Sequence, residues 1–322
     1  MSARVLPFRD GIEERVDDAG DLFGEVARTF AEQRIPEAMT RLVHGLHRLR
    51  RRSSQQMWAM VKNDWMQHPL ARIVHQDPLT SRCYRRPPGS PADSALIGFV
   101  HGEADAVADI AAASALGRAI NVVTARSAIA VGLRERRRIV ADFVDRTAQK
   151  ITDRISVLSL SAGHLREADC AQALAHDRVA RWVALDHDRD NVVRLRDRFS
   201  GTAVEAVCGT PCGLVEDRYQ LGRFDLISAA GLYDELDTAF AQRLTEVAFR
   251  MLKPGGTLLF SNIARGIGTD GYMETFMGWP LIDRDEKEMA KIWSGLPTEE
   301  IAVRWLFTDA NQAMIYALIQ KT

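Results

Sequence analysis

The chain has 322 residues, 46% hydrophobic and 26% charged, with 42 basic side chains against 43 acidic ones and a formal net charge of −1. That profile fits a folded chain of one large or two ordinary domains and lacks the basic excess of a nucleic-acid binder. No run approaches the roughly 18 apolar residues of a membrane span, Met1 to Asp21 is too charged for a signal peptide, and Cys83, Cys170, Cys208 and Cys212 are too scattered for a disulfide framework or a zinc site. The expected setting is the cytoplasm, and the expected partner a small molecule, with no metal, membrane or nucleic acid.

From Gly20 to about Lys150 the pattern is helical. Leu22, Val26, Phe30, Ile35, Met39, Leu42, Val43, Leu46 and Leu49 form the stripe of an amphipathic helix pair, which Pro36 can kink or restart. The basic run Arg48, Arg50, Arg51 and Arg52 reads as a solvated helix end. Further helices are predicted over Met57–Met66, Ala95–Leu116 and Arg134–Gln149. Three prolines and a glycine between Tyr84 and Pro91 make a loop.

From Ile155 short apolar runs alternate with helices. Strands are predicted over Ile155–Leu160, Arg181–Leu185, Ala203–Val207, Phe224–Ser228 and Thr257–Asn262, and helices over Leu165–Leu174, Asp190–Phe199 and Ala239–Met251. Val303–Thr308 and Ala313–Ile319 make a closing hairpin. Strand–helix alternation argues for a mostly parallel, doubly wound α/β sheet with antiparallel character at one edge. Residues 1–150 are expected to form a helical cap that contacts substrate, and residues 151–322 a Rossmann-like domain.

Ligands of such sheets bind at the carboxyl ends of the strands, near the point where strand order reverses. Four features fall there. Ser161-Ala162-Gly163-His164 puts small residues after a buried strand, with one glycine rather than the three of the dinucleotide fingerprint. Asp186 closes the second strand, 23 residues after Gly163, where an acid accepts hydrogen bonds from ribose hydroxyls; His187 or Asp188 could share that role. Cys208-Gly209-Thr210 follows the third strand, beside the expected adenine. Ala229-Ala230-Gly231-Leu232-Tyr233 follows the fourth and brings an aromatic toward the reacting centre.

As an ordered set, SLSAGH, ALDHD, FDLISAAGLYDEL and MLKPGGTLLFSN resemble the class I S-adenosylmethionine-dependent methyltransferases over residues 151–322. The resemblance implies a seven-stranded Rossmann-like sheet with a reversed last strand. It also implies contacts from Ser161, Ala162 and Gly163 to the cofactor's methionine part and from Asp186 to its ribose. HPLARIVHQDPLTSRCYRRPPGSPAD, AGHLREA, AAGLYDEL and GYMETFMGWPLIDR further resemble a bacterial subfamily named for extracellular-factor biosynthesis (methyl esters of 3-hydroxy fatty acids), to which azetidine-2-carboxylate synthases are also similar. Its usual Lys-Pro-Arg-Gly-Tyr-Ala-Gly-Asp loop is here Arg86-Pro87-Pro88-Gly89-Ser90-Pro91-Ala92-Asp93, so substrate identity does not carry over.

The implied reaction is methyl transfer to a small molecule with a carboxylate or hydroxyl acceptor. One alternative is cyclisation of S-adenosylmethionine, with release of methylthioadenosine and azetidine-2-carboxylate. Another is a non-catalytic S-adenosylmethionine sensor. Tyr233, Tyr84 and Tyr272 are candidate catalytic residues, since an aromatic face stabilises a sulfonium. Arg82, Asp93 and Trp279 are candidate substrate contacts. His164 lies beside the cofactor loop and reads better as a helix-start or packing residue than as a base.

Overall fold

The alternating segments of the second half pair into one sheet: β1 (Ile155–Leu160), β2 (Val179–Asp186), β3 (Val204–Cys208), β4 (Phe224–Ala229), β5 (Leu252–Ile263), β6 (Ile301–Thr308) and β7 (Met314–Lys321), in the order β3-β2-β1-β4-β5-β7-β6. β1 pairs in parallel with β2 and β4, β2 with β3, and β4 with β5. β7 alone is reversed, antiparallel to both β5 and β6. The computed structural model describes residues 6–86 and 94–322 of the chain. The fold class is therefore the expected one: α/β, Rossmann-like, with the last strand reversed and a helical N-terminal region.

β1 and β4 are almost wholly buried, as central parallel strands covered on both faces must be. Their few polar groups are matched. Ser159 Oγ accepts from Trp182 Nε1 at 3.1 Å, lies 3.0 Å from Ser228 Oγ and donates to Glu167 Oε1 at 3.2 Å, so β2, β1 and β4 share one buried polar thread. Asp225 accepts from Ser156 N–H at 2.7 Å and from the Lys253 ammonium at 2.6 Å. The Pro254-Gly255-Gly256 turn lies inside β5, where the register against β4 jumps from Phe224↔Leu252 to Leu226↔Thr257.

Two predicted helices are broken. Ala95–Leu116 is in fact Ser94–His101, Ala104–Ala112 and the first residues of Ala115–Thr124. The Ser114 hydroxyl accepts from Gly117 N–H at 2.9 Å and starts the last of these as a helix cap. Leu165–Leu174 is a 3₁₀ turn at Arg166–Asp169 followed by the short helix Gln172–Ala175, whose first N–H groups are taken by the Asp145 carboxylate.

The chain forms two units, Met1–Ala130 with Ile267–Leu281, and Val131–Gly266 with Ile282–Thr322. This differs from the expected boundary at residue 150 in two ways. Most of helix Ala128–Lys150 belongs with the sheet, where Gly132 lies against Asp309, Ala313 and Met314 and where Arg178 takes the carbonyls of Ala148, Ile151 and Thr152. The segment after β5 belongs with the helices: helix Asp270–Phe276 packs on Ile35–Arg52, with His47 Nδ1 2.6 Å from Asp270 and Arg50 bonded to Glu274.

The helical unit is organised around Asp77, a fully buried carboxylate. It accepts from Leu79 N–H, Thr80 N–H, the Thr80 and Thr124 hydroxyls and the Asn121 amide, at 2.7–3.2 Å. It thereby caps helix Pro78–Arg85 and fastens it to Ala115–Thr124. Since removing a buried acceptor leaves every donor unsatisfied, Asp77→Ala is expected to cost about 2–5 kcal/mol of unfolding free energy in chemical denaturation. A loss below about 0.5 kcal/mol would contradict this account of the unit.

Candidate functional site

Strand order reverses between β1 and β4, so the carboxyl ends of β1, β2 and β4 border the crevice where such sheets take ligands. The tightest polar arrangement there is built on Asp186, the last residue of β2, 3% exposed. Its Oδ2 accepts from Gly163 N–H at 2.7 Å. Its Oδ1 accepts from Asp188 N–H at 2.9 Å and from Asn191 Nδ2 at 3.2 Å. These bonds use three of the roughly four acceptor positions of a carboxylate. By that count one acceptor position is left, on Oδ2.

The loop after β1 is held in an unusual shape. Ser161, Gly163 and Leu165 have φ of 52°, 55° and 48°, a conformation that costs a non-glycine residue about 1–2 kcal/mol. Ala162 N–H donates to Leu185 O at 3.0 Å, so the loop is fastened to β2 at two successive residues, by backbone at Ala162 and by the Asp186 carboxylate at Gly163. Ser161, Ala162 and Gly163 remain partly exposed. His164 is buried, with Nδ1 3.0 Å from Arg166 and its carbonyl accepting from Arg198. The His187 ring is half-exposed, 3.9 Å from Asp186 Oδ1.

After β3, Gly209 N–H donates to Asp186 O at 2.8 Å. A Cβ on Gly209 would lie 2.6 Å from Leu185 Cδ1 and 2.8 Å from the Tyr219 ring, so that position is small because neighbours fill the space. The Thr210 hydroxyl caps helix Pro211–Val215 by accepting from Gly213 N–H at 3.0 Å, while Cys208 is exposed. Tyr219, whose hydroxyl accepts from Thr210 N–H at 3.1 Å, is a neighbour of this turn that the sequence did not reveal; it sits in a polar stretch with no periodic signal.

After β4, Ala229 is buried, and Ala230 and Gly231 are partly exposed. Gly231 has φ +86°, and a Cβ there would lie 2.5 Å and 2.7 Å from the two terminal nitrogens of Arg136. Arg136 belongs to helix Ala128–Lys150.

Tyr233, expected to face the reacting centre, is a core residue. The chain turns back after Gly231 in a 3₁₀ turn, Tyr233–Glu235, and drives the ring into the core: it is fully buried, stacked on Phe260 at 4.3 Å, with its hydroxyl 2.8 Å from Thr245 Oγ1. Burial raises its phenol pKa far above the ordinary range. Tyr272 is likewise a structural residue, 3% exposed, its hydroxyl 2.9 Å from that of Thr80 in the Asp77 network. Tyr84 is exposed, its ring 4.8 Å from that of His75. Arg82 is exposed on helix Pro78–Arg85 rather than in a loop, and Trp279 is partly exposed with the Arg86 guanidinium over its ring at 5.4 Å. These four lie in the helical unit and Tyr233 in the sheet unit. Asp93 and the loop from Pro87 lie outside the described residues.

The turn after β4 is pinned by a second polar knot. Arg284, 2% exposed, donates to Tyr233 O at 2.6 Å, to Leu236 O and to Asn262 Oδ1. Asp234 accepts from Ile263 N–H through its carboxylate, and from Ile282 N–H at 2.7 Å through its carbonyl. Burial pushes the Asp234 carboxyl up to about 6 against the opposing charges of Arg136 and Arg284. Burial also raises the Glu167 carboxyl, opposed by its bond from Ser159 and by Arg136. Among the described residues no group of three His, Cys, Asp or Glu side chains could hold a metal ion, and no single helix is long and apolar enough to cross a membrane.

No family model matches the chain, and no curated protein matches it. It is similar in structure to a Bordetella parapertussis protein described as a possible exported protein, at 15% identity and a TM-score of 0.51, over 94% of this chain and 96% of that one. It also matches the N-methyltransferase NodS of Bradyrhizobium japonicum WM9 at 16% identity and a TM-score of 0.40, over 58% and 97% of the two chains. The magnesium protoporphyrin IX methyltransferase ChlM of Synechocystis PCC 6803, with bound S-adenosylmethionine, matches at 14% identity and a TM-score of 0.44, over 73% and 100%. The first of these likenesses is one of fold; nothing about ligand or reaction passes from any of them to this chain.

The buried Asp234 has a pH signature. Folded, its carboxyl keeps a proton up to about pH 6; unfolded, it loses it near the ordinary value of 3.8. Between those values the folded state binds more protons, so this contribution to stability falls as pH rises and is flat above about 6. The expected span is on the order of 2–3 kcal/mol. Asn can still accept from Ile263 N–H. Asp234→Asn should therefore gain on wild type by that amount between pH 4 and pH 7 in denaturant titrations. An unchanged difference across that range would refute the assignment.

Proposed function

We propose that the chain is an S-adenosylmethionine-dependent methyltransferase acting on a small molecule with a carboxylate or hydroxyl acceptor. The observation that carries this reading is the place of Asp186. It ends β2 in a sheet of order β3-β2-β1-β4-β5-β7-β6 and is tied to the small-residue loop after β1, with one acceptor position left on Oδ2. An acid there accepts from a ribose hydroxyl. The remaining position suits one such bond rather than the two that the sequence suggested. The ordered motifs, read in sequence as those of class I S-adenosylmethionine-dependent methyltransferases, support the same reading.

The residues on this crevice fit that cofactor. Ser161, Ala162 and Gly163 leave backbone partly exposed beside Asp186, and Gly209 and Thr210 border the end of β3. When bound, S-adenosylmethionine supplies a methyl group already activated by the sulfonium charge. The protein's own work is then to hold the ribose at Asp186, keep the β1 loop fixed and bring an acceptor into line, since a carboxylate needs no base and orientation supplies much of the rate. His164 suits packing better than the role of a base: its ring is buried, with Nδ1 engaged by Arg166.

Product analysis with the purified protein tests the reading. S-adenosylhomocysteine formed only when a carboxylate or hydroxyl acceptor is added is the expected result. Methylthioadenosine released without any acceptor would mean cyclisation, and neither product would mean a sensor. In calorimetry, Asp186→Ala should bind S-adenosylmethionine about 10- to 150-fold more weakly, the value of a lost hydrogen bond to a charged group. Unchanged affinity in the folded variant would remove Asp186 from the site.

A further inference from the structure

Around the far side of β4 lies a set of polar groups that the reading above does not use. Tyr316 of β7 and Ser261 of β5 are directly opposite in the antiparallel register, so their side chains share one face of the sheet. Both are fully buried, and the hydroxyl of each has no hydrogen-bond partner among the described residues. Phe307 of β6, stacked on Tyr316 at 5.0 Å, also faces Phe143 of helix Ala128–Lys150 at 5.9 Å, which places that helix over the same face. About two turns from its start the helix carries Arg136. The Arg136 charge acts on the Tyr316 hydroxyl, on Asp234 and on Glu167, and its guanidinium rests against the backbone of Gly231. Among the described residues no carboxylate lies within ion-pair distance of it.

A buried hydroxyl without a partner is costly, and the two on these adjacent strands, of which Tyr316 feels the Arg136 charge, are alike in what they can offer: each can donate. An acceptor with negative charge satisfies all three. The carboxyl ends of β4 and β5 and the start of the reversed β7 lie on the same edge of the sheet as the crevice at the strand reversal, where an amino-acid or acid substrate would present such a group. We propose that Arg136, Tyr316 and Ser261 form a carboxylate-binding site, with Arg136 as the charged anchor and the two hydroxyls as neutral donors. The carboxylate is that of the cofactor's methionine part or that of the acceptor; to that extent the inference rests on the proposed function.

The two sources separate experimentally. Calorimetry is run on wild type, Arg136→Ala and Tyr316→Phe with S-adenosylmethionine, with its decarboxylated analogue, and with butyrate in the presence of S-adenosylhomocysteine. If the site holds the cofactor's carboxylate, Arg136→Ala weakens S-adenosylmethionine about 10- to 150-fold and Tyr316→Phe about three- to tenfold, while the decarboxylated analogue binds all three proteins alike. If it holds the acceptor's, cofactor affinity is unchanged and butyrate binding is lost in both variants. Tyr316→Phe removes only a hydroxyl without a partner, so it keeps the test open should Arg136→Ala fail to fold. If both variants bind every probe as wild type does, the three groups are structural only and the inference is overturned. If wild type binds neither form of the cofactor, the proposed function fails instead, and the butyrate titration still decides this site.

Discussion

A buried carboxylate at the end of a strand must find donors, and the way Asp186 does so organises the candidate site. Leaving it unpaired at 3% exposure would cost several kcal/mol. Donors come from the loop after β1, from the turn after β2 and from the following helix at Asn191. Its backbone carbonyl takes Gly209 N–H from the turn after β3. One residue thus holds together the ends of three adjacent strands. The left-handed residues of the β1 loop persist because these bonds over-determine their shape.

Much of this was legible in the sequence. All seven strands were, because short apolar runs between polar helices have few other solutions; the predicted and observed strands differ mainly at their ends. Asp186 could be found from its place after a buried strand. Helix breaks were harder. Ala95–Leu116 is alanine-rich, so helix propensity ran on past Gly102, which breaks the helix at φ +69°, and past Ser114, whose hydroxyl caps a new one. The domain boundary was misplaced for a related reason. Helix Ala128–Lys150 reads as the last of a helical series, and only its packing against the turn before β7 shows that it belongs to the sheet.

The misread residues share one cause. Tyr233 was placed from the direction of β4, but the chain reverses at Gly231 within two residues and the ring stacks on Phe260 instead. Arg136 was hidden within Arg134-Glu135-Arg136-Arg137-Arg138, which looks like a solvated face. A closer reading of the period would have found it: Gly132 and Val140, four residues to either side of Arg136, and Val144, four further on, are all buried. An arginine on an apolar stripe calls for a partner, and Gly231 lacks a side chain where that arginine arrives. Arg284 is the same lesson at the end of GYMETFMGWPLIDR: a buried cation satisfied by Tyr233 O, Leu236 O and Asn262.

The central claim is that the crevice bordered by Asp186 and the β1 loop takes the adenosyl part of S-adenosylmethionine. A crystal structure of the protein grown with S-adenosylhomocysteine tests it most directly. The account predicts a ribose hydroxyl within hydrogen-bond distance of Asp186 Oδ2, with the bond from Gly163 N–H kept. Density for the ligand elsewhere, with nothing at Asp186, would contradict it.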